Sequence, residues 1–515
     1  MIWFAQAVLW GWLPLVLILF LVMPARRAVV VALITSWLLL PQLGFQIDRV
    51  PDYTKMSATC YAIIIGALLL DPKQRILGFR PIWLDLPVLL YCLHPFVPSM
   101  LNDKGFYDGA SVFLERFVQF GLPYLIGRLY FQTPAQARDL CLGIIIGGLV
   151  YVPLVLYEVR MSPQLHRMIY GISPINDWQQ AVRWGGWRPI VFMSHGLATG
   201  LWMATAAALA AWLWHTKSTK RVVGLPLPVV GLLLLITAVL CKSTGAVLLL
   251  GALLGVMLSV KYLNTKALVW VVAAAIPAYL ILRSTGLFEG AEAVRSLGQA
   301  FPWAQERTDS LLYRMVMENA IVGRTMEKPL FGWAGWGDAF NVRIEEFQSM
   351  AVPDSFWIRT FGEGGYTNLV LLYGIYLAPL FLLLTKLRPR DWRSPAVAPL
   401  TGLAMIVLVY AMDALFNSML NPIYIVAIGA VSGMAAAVRR VPAGQRSAAP
   451  AGRKMSPAIT LDDEDPLLGD SDDLLIDLEG TSAGLDNLDD DEEPLVLIDT
   501  PRFGSQDRAT RGGPR

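Results

Sequence analysis

Arginines, a histidine and carboxylates recur at the edges of apolar runs in this sequence, and these are the groups able to bind an anion or move a proton. The first stretch runs from Arg183 through two Trp-Gly steps to Arg188, and on through Pro189 to His195. A guanidinium at the mouth of an apolar span can bond phosphate oxygens in pairs, which suits an anionic lipid headgroup. The competing role, and the commoner one, is an interfacial anchor, with Trp184 and Trp187 in an aromatic belt. His195, about two turns deeper, reads first as an interhelical hydrogen bonder. The second stretch begins with an amphipathic helix from Asp309 to Ile321. Leu311, Leu312, Met315 and Val316 are expected on one face, and Arg314 with Glu318 as an i,i+4 ion pair on another. Gly332, Gly335 and Gly337 then predict a tight turn. Asp354, Ser355 and Glu363 follow at the entry to the next apolar run, where Glu363 also suits a helix N-terminus.

Charges inside apolar runs are costly and by default face a bundle interior or a wet cavity; here they are Glu115, Arg116 and Asp413. Lys242, on a turn, adds a positive charge to the same cavity. The four histidines, His94, His166, His195 and His215, stand in no metal-binding spacing. Neither a P-loop nor a nucleophile elbow is present. No metal or cofactor is therefore expected.

The elements that must position these groups are membrane helices. Hydrophobic residues make up 55% of the 515, charged residues 16%, and mean hydropathy is +0.51. That composition excludes a cytosolic enzyme, a nucleic-acid binder and a disordered scaffold. The four cysteines, Cys60, Cys92, Cys141 and Cys241, lie in or beside apolar stretches, which excludes a disulfide framework. Apolar runs of spanning length recur at about 3–23, 28–45, 56–70, 83–100, 109–128, 139–157, 189–214, 224–241, 244–260, 267–284, 362–384, 397–416 and 420–438. The prediction is an all-α polytopic membrane protein with about 12–13 transmembrane helices. The first run, with no basic residue before it and Arg26 and Arg27 after it, reads as an anchor rather than a cleaved signal.

Alternate connections carry eighteen basic residues, from Arg26 and Arg27 to Arg439 and Arg440. The opposite short connections hold only Arg49, Lys55, Lys104 and Lys242. The positive-inside rule then places the N-terminus outside and the C-terminus in the cytoplasm. Two long connections, 158–188 and 285–361, fall on the outside, and long ordered loops are usually functional. The chain thus divides into a membrane domain over 1–438, a linker over 439–460 and a tail over 461–515. Residues 461–499 hold sixteen Asp or Glu and no Lys or Arg, between short Leu-rich runs. Such a segment is expected to be disordered, either as a solubilising tail or as a docking peptide for a cytoplasmic protein.

The order of these motifs resembles the O-antigen ligase and O-antigen polymerase-like superfamily over roughly residues 55–438. Arg314 followed by Lys328-Pro-Leu-Phe-Gly332 through Gly337 is similar to its "R…PxxGxG" segment. The run from Asp354 is similar to its "HN/DN…E.G" segment, Lys242-Ser-Thr-Gly-Ala246 to its "tgSRga" turn, and Arg188 to Gly196 to its "R..G.f..pN" span entry. The resemblance implies a GT-C-like, metal-independent glycosyltransferase of the bacterial inner membrane. Its donor would be an undecaprenyl-diphosphate-linked glycan at the outer face, and its acceptor a glycan, lipid or protein. It also implies that Arg188 and Arg314 bind the diphosphate; Lys242, His195 and, as a costly charge inside an apolar run, Arg116 are expected to complete the donor site. Asp354 would be the catalytic base, where ligases place a histidine, and His195 stands where the family often has asparagine. A transporter of lipid-linked sugars and a scaffold acting through the acidic tail are the alternatives.

The formal charge of +2 hides both the topology and this site. Residues 1–460 carry 38 basic against 23 acidic side chains, and the tail offsets that excess with its sixteen carboxylates.

Overall fold

The computed structural model describes residues 2–47, 50–174, 178–301, 305–335, 337–440 and 495–497. Its helices are α1 (Ile2–Val22), α2 (Ala25–Leu39), α3 (Lys55–Leu69), α4 (Leu86–Leu93), α5 (Phe96–Leu101), α6 (Phe106–Arg116), α7 (Leu122–Tyr130) and α8 (Pro134–Met161). They continue with α9 (Leu165–Tyr170), α10 (Gly196–His215), α11 (Leu227–Leu240), α12 (Thr244–Tyr262), α13 (Ala267–Ser284), α14 (Ala291–Ala300) and α15 (Gln305–Thr325). The last four are α16 (Phe356–Lys386), α17 (Pro389–Trp392), α18 (Ala398–Asp413) and α19 (Pro422–Ala437). Among the described residues, seven helices are long and apolar enough to cross a membrane; of four shorter apolar helices, α3 and α11 lie between them and α18 and α19 follow the last. The chain is a multi-pass, essentially all-α membrane protein.

Small residues decide which helices meet. In lipid no hydrophobic force drives one helix onto another, so close packing of small side chains does that work. Helix α10, rich in alanine, is buried along nearly its whole length and packs against α8, α11, α12 and α18. Helices α7 and α19 cross so closely that a Cβ at Gly127 would strike the Val426 carbonyl, and one at Gly429 the Tyr124 carbonyl. Threonine caps set two entries: Thr54 and Thr133 each form a capping box at the start of α3 and α8.

Several predicted spans have different internal structure. The 28–45 run ends its helix at Leu39, and Gly44–Ile47 pairs instead with Val50–Thr54 in a hairpin. The 109–128 run is α6 and α7 joined by a π-turn, Phe117–Gly121. The 189–214 run is helical only from Gly196.

Helix α16 is broken at Gly365, where φ is 64° and ψ −161°. The loop after α15 repairs the break. Tyr366 N donates to Pro329 O at 2.8 Å and Thr367 N to Leu330 O at 3.2 Å, while Gly362 O accepts from Trp333 N at 3.0 Å. Gly332, with φ +68°, lies directly on this backbone, and a Cβ there would strike Gly364 N. The glycine turn read from sequence is therefore a plug for a broken helix, as buried backbone in a membrane requires.

The linker and tail from 441 onward lie outside the described residues, apart from Leu495–Leu497. That short strand pairs antiparallel with Val438–Arg440 at the end of α19.

Candidate functional site

Arg188 is set by a hairpin and a pinned turn. Val182–Arg183 pairs with Gly186–Trp187, and Trp184 and Gly185 both take positive φ in the turn between them. Arg188 N then donates to Ala181 O at 2.7 Å. The next residues, Ile190 to Phe192, form no regular element, and distant side chains satisfy their backbone. Glu158, buried at the end of α8, accepts from Ile190 N at 2.8 Å and from Val191 N at 2.7 Å. Lys55 Nζ and Gln42 Nε2 donate to Phe192 O at 3.1 and 3.0 Å, and Thr199 Oγ1 to Ile190 O at 3.0 Å. Val191 is held at φ 57°, a costly conformation for a β-branched residue that only such over-determination sustains.

Two glycines on one face of α10 make room for the Arg188 stem and for Ser243. A Cβ at Gly196 would strike Cγ and Cδ of Arg188, and one at Gly200 would strike Ser243. Lys242 reaches back so that its Nζ lies against Gly186, where a Cβ would collide with it. Arg188 is only 6% exposed, and its Nε has no hydrogen-bond partner. Its pKa falls to about 10, first through burial and then through the like charges of Arg183, Arg307 and Arg314. This is a concentration of positive charge with its most buried member uncompensated. Such an arrangement costs folding energy and is the expected mark of an anion site.

His195 stands at the edge of the cluster as the N-cap of α10, its Nδ1 accepting from Leu197 N at 3.1 Å. Burial, then Arg188, Arg314 and Arg183, hold its pKa down to about 4. It is therefore neutral near pH 7, with its remaining proton on Nε2. Asparagine caps helices as well, so His195→Asn should keep the thermal midpoint close to that of the parent. His195→Ala should lose about 1 kcal/mol of stability, read as a lower midpoint.

The other half of the site comes from α15, α16 and the end of α18. Arg314 Nη1 donates to Phe416 O at 2.7 Å and to Asn417 Oδ1 at 3.2 Å, and its Nε lies 3.8 Å from Asp354 Oδ2. Asn417 Nδ2 in turn donates to Asp413 Oδ1 at 2.7 Å. Burial raises the Asp354 pKa above the ordinary carboxylate range, and Arg314 opposes that rise. Arg188, Arg314, His195 and Asp354 thus converge from connections far apart in sequence, while Lys242 lies against Gly186 of the hairpin before Arg188.

Arg116, expected in the same set, lies in another network. It donates to Asn368 Oδ1 at 2.9 Å and to Tyr91 O at 3.3 Å, and pairs with Glu363 at 3.4 Å. Glu363 also accepts from Arg359 at 3.0 Å. His166 is structural: one ring nitrogen meets Ile172 O at 2.6 Å and the other accepts from Gln42 N at 2.9 Å.

The expected Arg314–Glu318 pair does not form. The buried face of α15 is Met315, Glu318, Ile321 and Val322, while Leu311 is exposed. Glu318 is 2% exposed and pairs with Arg283 of α13 at 2.9 Å. Its other oxygen accepts from Ser355 Oγ at 2.6 Å and from Trp357 Nε1 at 3.2 Å, so it anchors the start of α16 beside Asp354. Amphipathic periodicity hid this role, because it assigns a glutamate to the wet face. Glu318→Ala leaves the Arg283 charge buried without its counter-charge, held only by Phe288 O, Glu289 O and Asn319 Oδ1, and the expected loss is about 3–5 kcal/mol in denaturant unfolding of the purified protein. Glu158, Arg307 and Asn417 also escaped the sequence reading. Only Glu158, a carboxylate ending a long apolar span, carried a usable signal.

Among the described residues no three His, Cys, Asp or Glu side chains gather into a metal-binding group. Fold and site together define a multi-pass helical membrane protein with a buried arginine, Arg188, among partly exposed ones, and a carboxylate beside Arg314. No protein-family model matches the chain, and no curated protein matches it in sequence.

Proposed function

We propose that this protein transfers or polymerises a glycan from a polyprenyl-diphosphate carrier, such as undecaprenyl diphosphate, at the outer face of a bacterial inner membrane. On this reading the fold is GT-C-like, the connections bearing Arg188 and Arg314 face outward, and the product is a cell-surface polysaccharide or glycoconjugate. One observation carries it: Arg188, buried and uncompensated among Arg183, Arg307 and Arg314, stands in one site with a carboxylate of raised pKa.

The chemistry follows from those groups. An acceptor hydroxyl attacks the anomeric carbon, and the bond from that carbon to the diphosphate oxygen breaks. The leaving diphosphate takes the bonding electron pair, and Arg188 and Arg314 stabilise the charge it gathers. Asp354 accepts the hydroxyl proton as general base, and its raised pKa brings it nearer the operating pH. Lys242 adds charge at the mouth, and neutral His195 offers a hydrogen bond rather than a charge.

The test is conversion of lipid-linked glycan to product by the purified protein in detergent. Detergent abolishes the two sides of a membrane, so bond formation there separates a transferase from a transporter. Product formation that fails with Arg314→Ala supports the reading. Absence of any product from parent protein supplied with the lipid-linked glycan of its own cells would overturn it.

A further inference from the structure

The start of α12 gathers polar groups that the bundle does not satisfy. The first backbone N–H groups of any helix lack a carbonyl within it, and a serine at this place ordinarily covers one of them. Ser243 is the residue before α12, yet its side chain makes no capping bond. It is 1% exposed, and its Oγ has no partner among the described residues. The Thr244 Oγ1 beside it is buried and unpartnered in the same way. Two adjacent hydroxyls are thus withdrawn from water with nothing to bond, which costs stability and demands a reason.

The buried arginine stands against this same turn. Ser243 and the Arg188 stem lie one turn apart on one face of α10: a Cβ at Gly200 would strike Ser243, and one at Gly196 would strike Arg188. Arg188 also interacts electrostatically with Cys241, two residues before Ser243, and the other charges acting on it are those of Arg183, Arg307 and Arg314. Lys242, at φ 50°, turns the chain between α11 and α12. The first turn of α12 is open on its far side, where Gly245 is exposed and a Cβ on it would meet nothing within 4 Å. An uncapped helix start, two free hydroxyls and an unpartnered guanidinium are hydrogen-bond donors around one place, and two of them carry positive charge. A phosphoryl group answers that set, because its several oxygens only accept and can be shared among helix, hydroxyls and arginine.

We infer that the first turn of α12, from Ser243 to Ala246, binds a phosphoryl group through its backbone N–H groups and the Ser243 and Thr244 hydroxyls, with Arg188 holding the same group from beside α10. A lipid headgroup and a free diphosphate share that chemistry. The inference rests on the transferase reading only for the identity of the occupant as a carrier phosphate, and its test does not depend on catalysis. Radiolabelled farnesyl diphosphate, a short polyprenyl diphosphate, is bound to the purified full chain in detergent with no glycan present. Unlabelled inorganic diphosphate is the competitor. Competition weaker than that of unlabelled farnesyl diphosphate identifies a lipid headgroup as the ligand, and equal competition identifies the free anion; both support the site.

Ser243→Ala should weaken binding about tenfold to a hundredfold, the worth of a hydrogen bond to a charged group. Its thermal midpoint should not fall, because the hydroxyl bonds nothing in the protein. Gly245→Asp sets a carboxylate at the helix start, where it suits the dipole and meets no atom, so the fold is kept while binding falls further. Parent affinity retained in either variant would overturn the inference, as would a parent protein that binds neither diphosphate. A lower midpoint in Ser243→Ala with unchanged binding would make the serine an ordinary cap. If both variants lose binding but the purified parent never forms product, the phosphate site stands and the transferase reading falls. If product forms while either variant binds like the parent, the reverse holds.

Discussion

Arg188→Ala should lower glycan transfer by about a hundredfold to a thousandfold, the range seen when one preorganised donor to a developing charge is removed. Arg188→Lys should not rescue it. Lysine keeps the charge but not the planar fork, and the path over Gly196 that seats the arginine stem was shaped for that stem. Stability should move the other way. Arg188 is buried, its Nε is unpartnered, and Arg183, Arg307 and Arg314 press on it, so its removal relieves desolvation and repulsion. A variant with a raised thermal midpoint and almost no product is the signature of a cation kept for binding. If Arg188→Ala transferred glycan at the parent rate in detergent, the anion site would lie elsewhere. Gly196→Ala supplies an independent check: it leaves every charge in place but displaces the Arg188 stem, and should lower the rate in the same direction.

How far the sequence could have led to this site is clearest at that same segment. Apolar length alone placed the span ending at residue 214, and α10 indeed runs to His215. Hydropathy could not show that residues 189–195 are a pinned turn, because Pro189, Ile190, Val191 and Phe192 look like any helix entry. What holds them out of a helix is Glu158, Lys55 and Gln42, which are separated from them by about thirty to one hundred and fifty positions. The same limit applies to α15. Its periodicity was legible, but the choice of buried face was not, since it turns on Arg283 of α13 competing for Glu318 and on Asp354 taking Arg314. Motif order brought Arg188, Lys242, Arg314 and Asp354 onto one list. The cost of a charge inside an apolar run added Arg116, whose partners Glu363 and Asn368 lie two turns and more into α16. Local pattern finds which residues are costly; only tertiary contacts say which of them share a site.

Asp354→Asn should cost transfer about a hundredfold to ten-thousandfold, the usual worth of a positioned general base. The amide keeps the size of the side chain but cannot take the acceptor proton. The pH dependence of the parent distinguishes this role from a structural one. Burial raises the Asp354 pKa and Arg314 pulls it back, so the acid limb of the rate profile should lie above the range of an exposed aspartate. Below that limb the carboxyl is protonated and transfer stops; above it transfer reaches a plateau. Arg314→Gln removes the influence that lowers the Asp354 pKa, so the acid limb should move further up in pH beyond any loss of rate. Stability follows by linkage. A carboxyl whose pKa is higher folded than unfolded favours the folded state at low pH and opposes it once ionised, so Asp354→Asn should be neutral or stabilising near pH 7. An unchanged acid limb in Asp354→Asn would assign the proton transfer to another group. Glu363 would not be that group, because Arg116 and Arg359 already hold both of its oxygens.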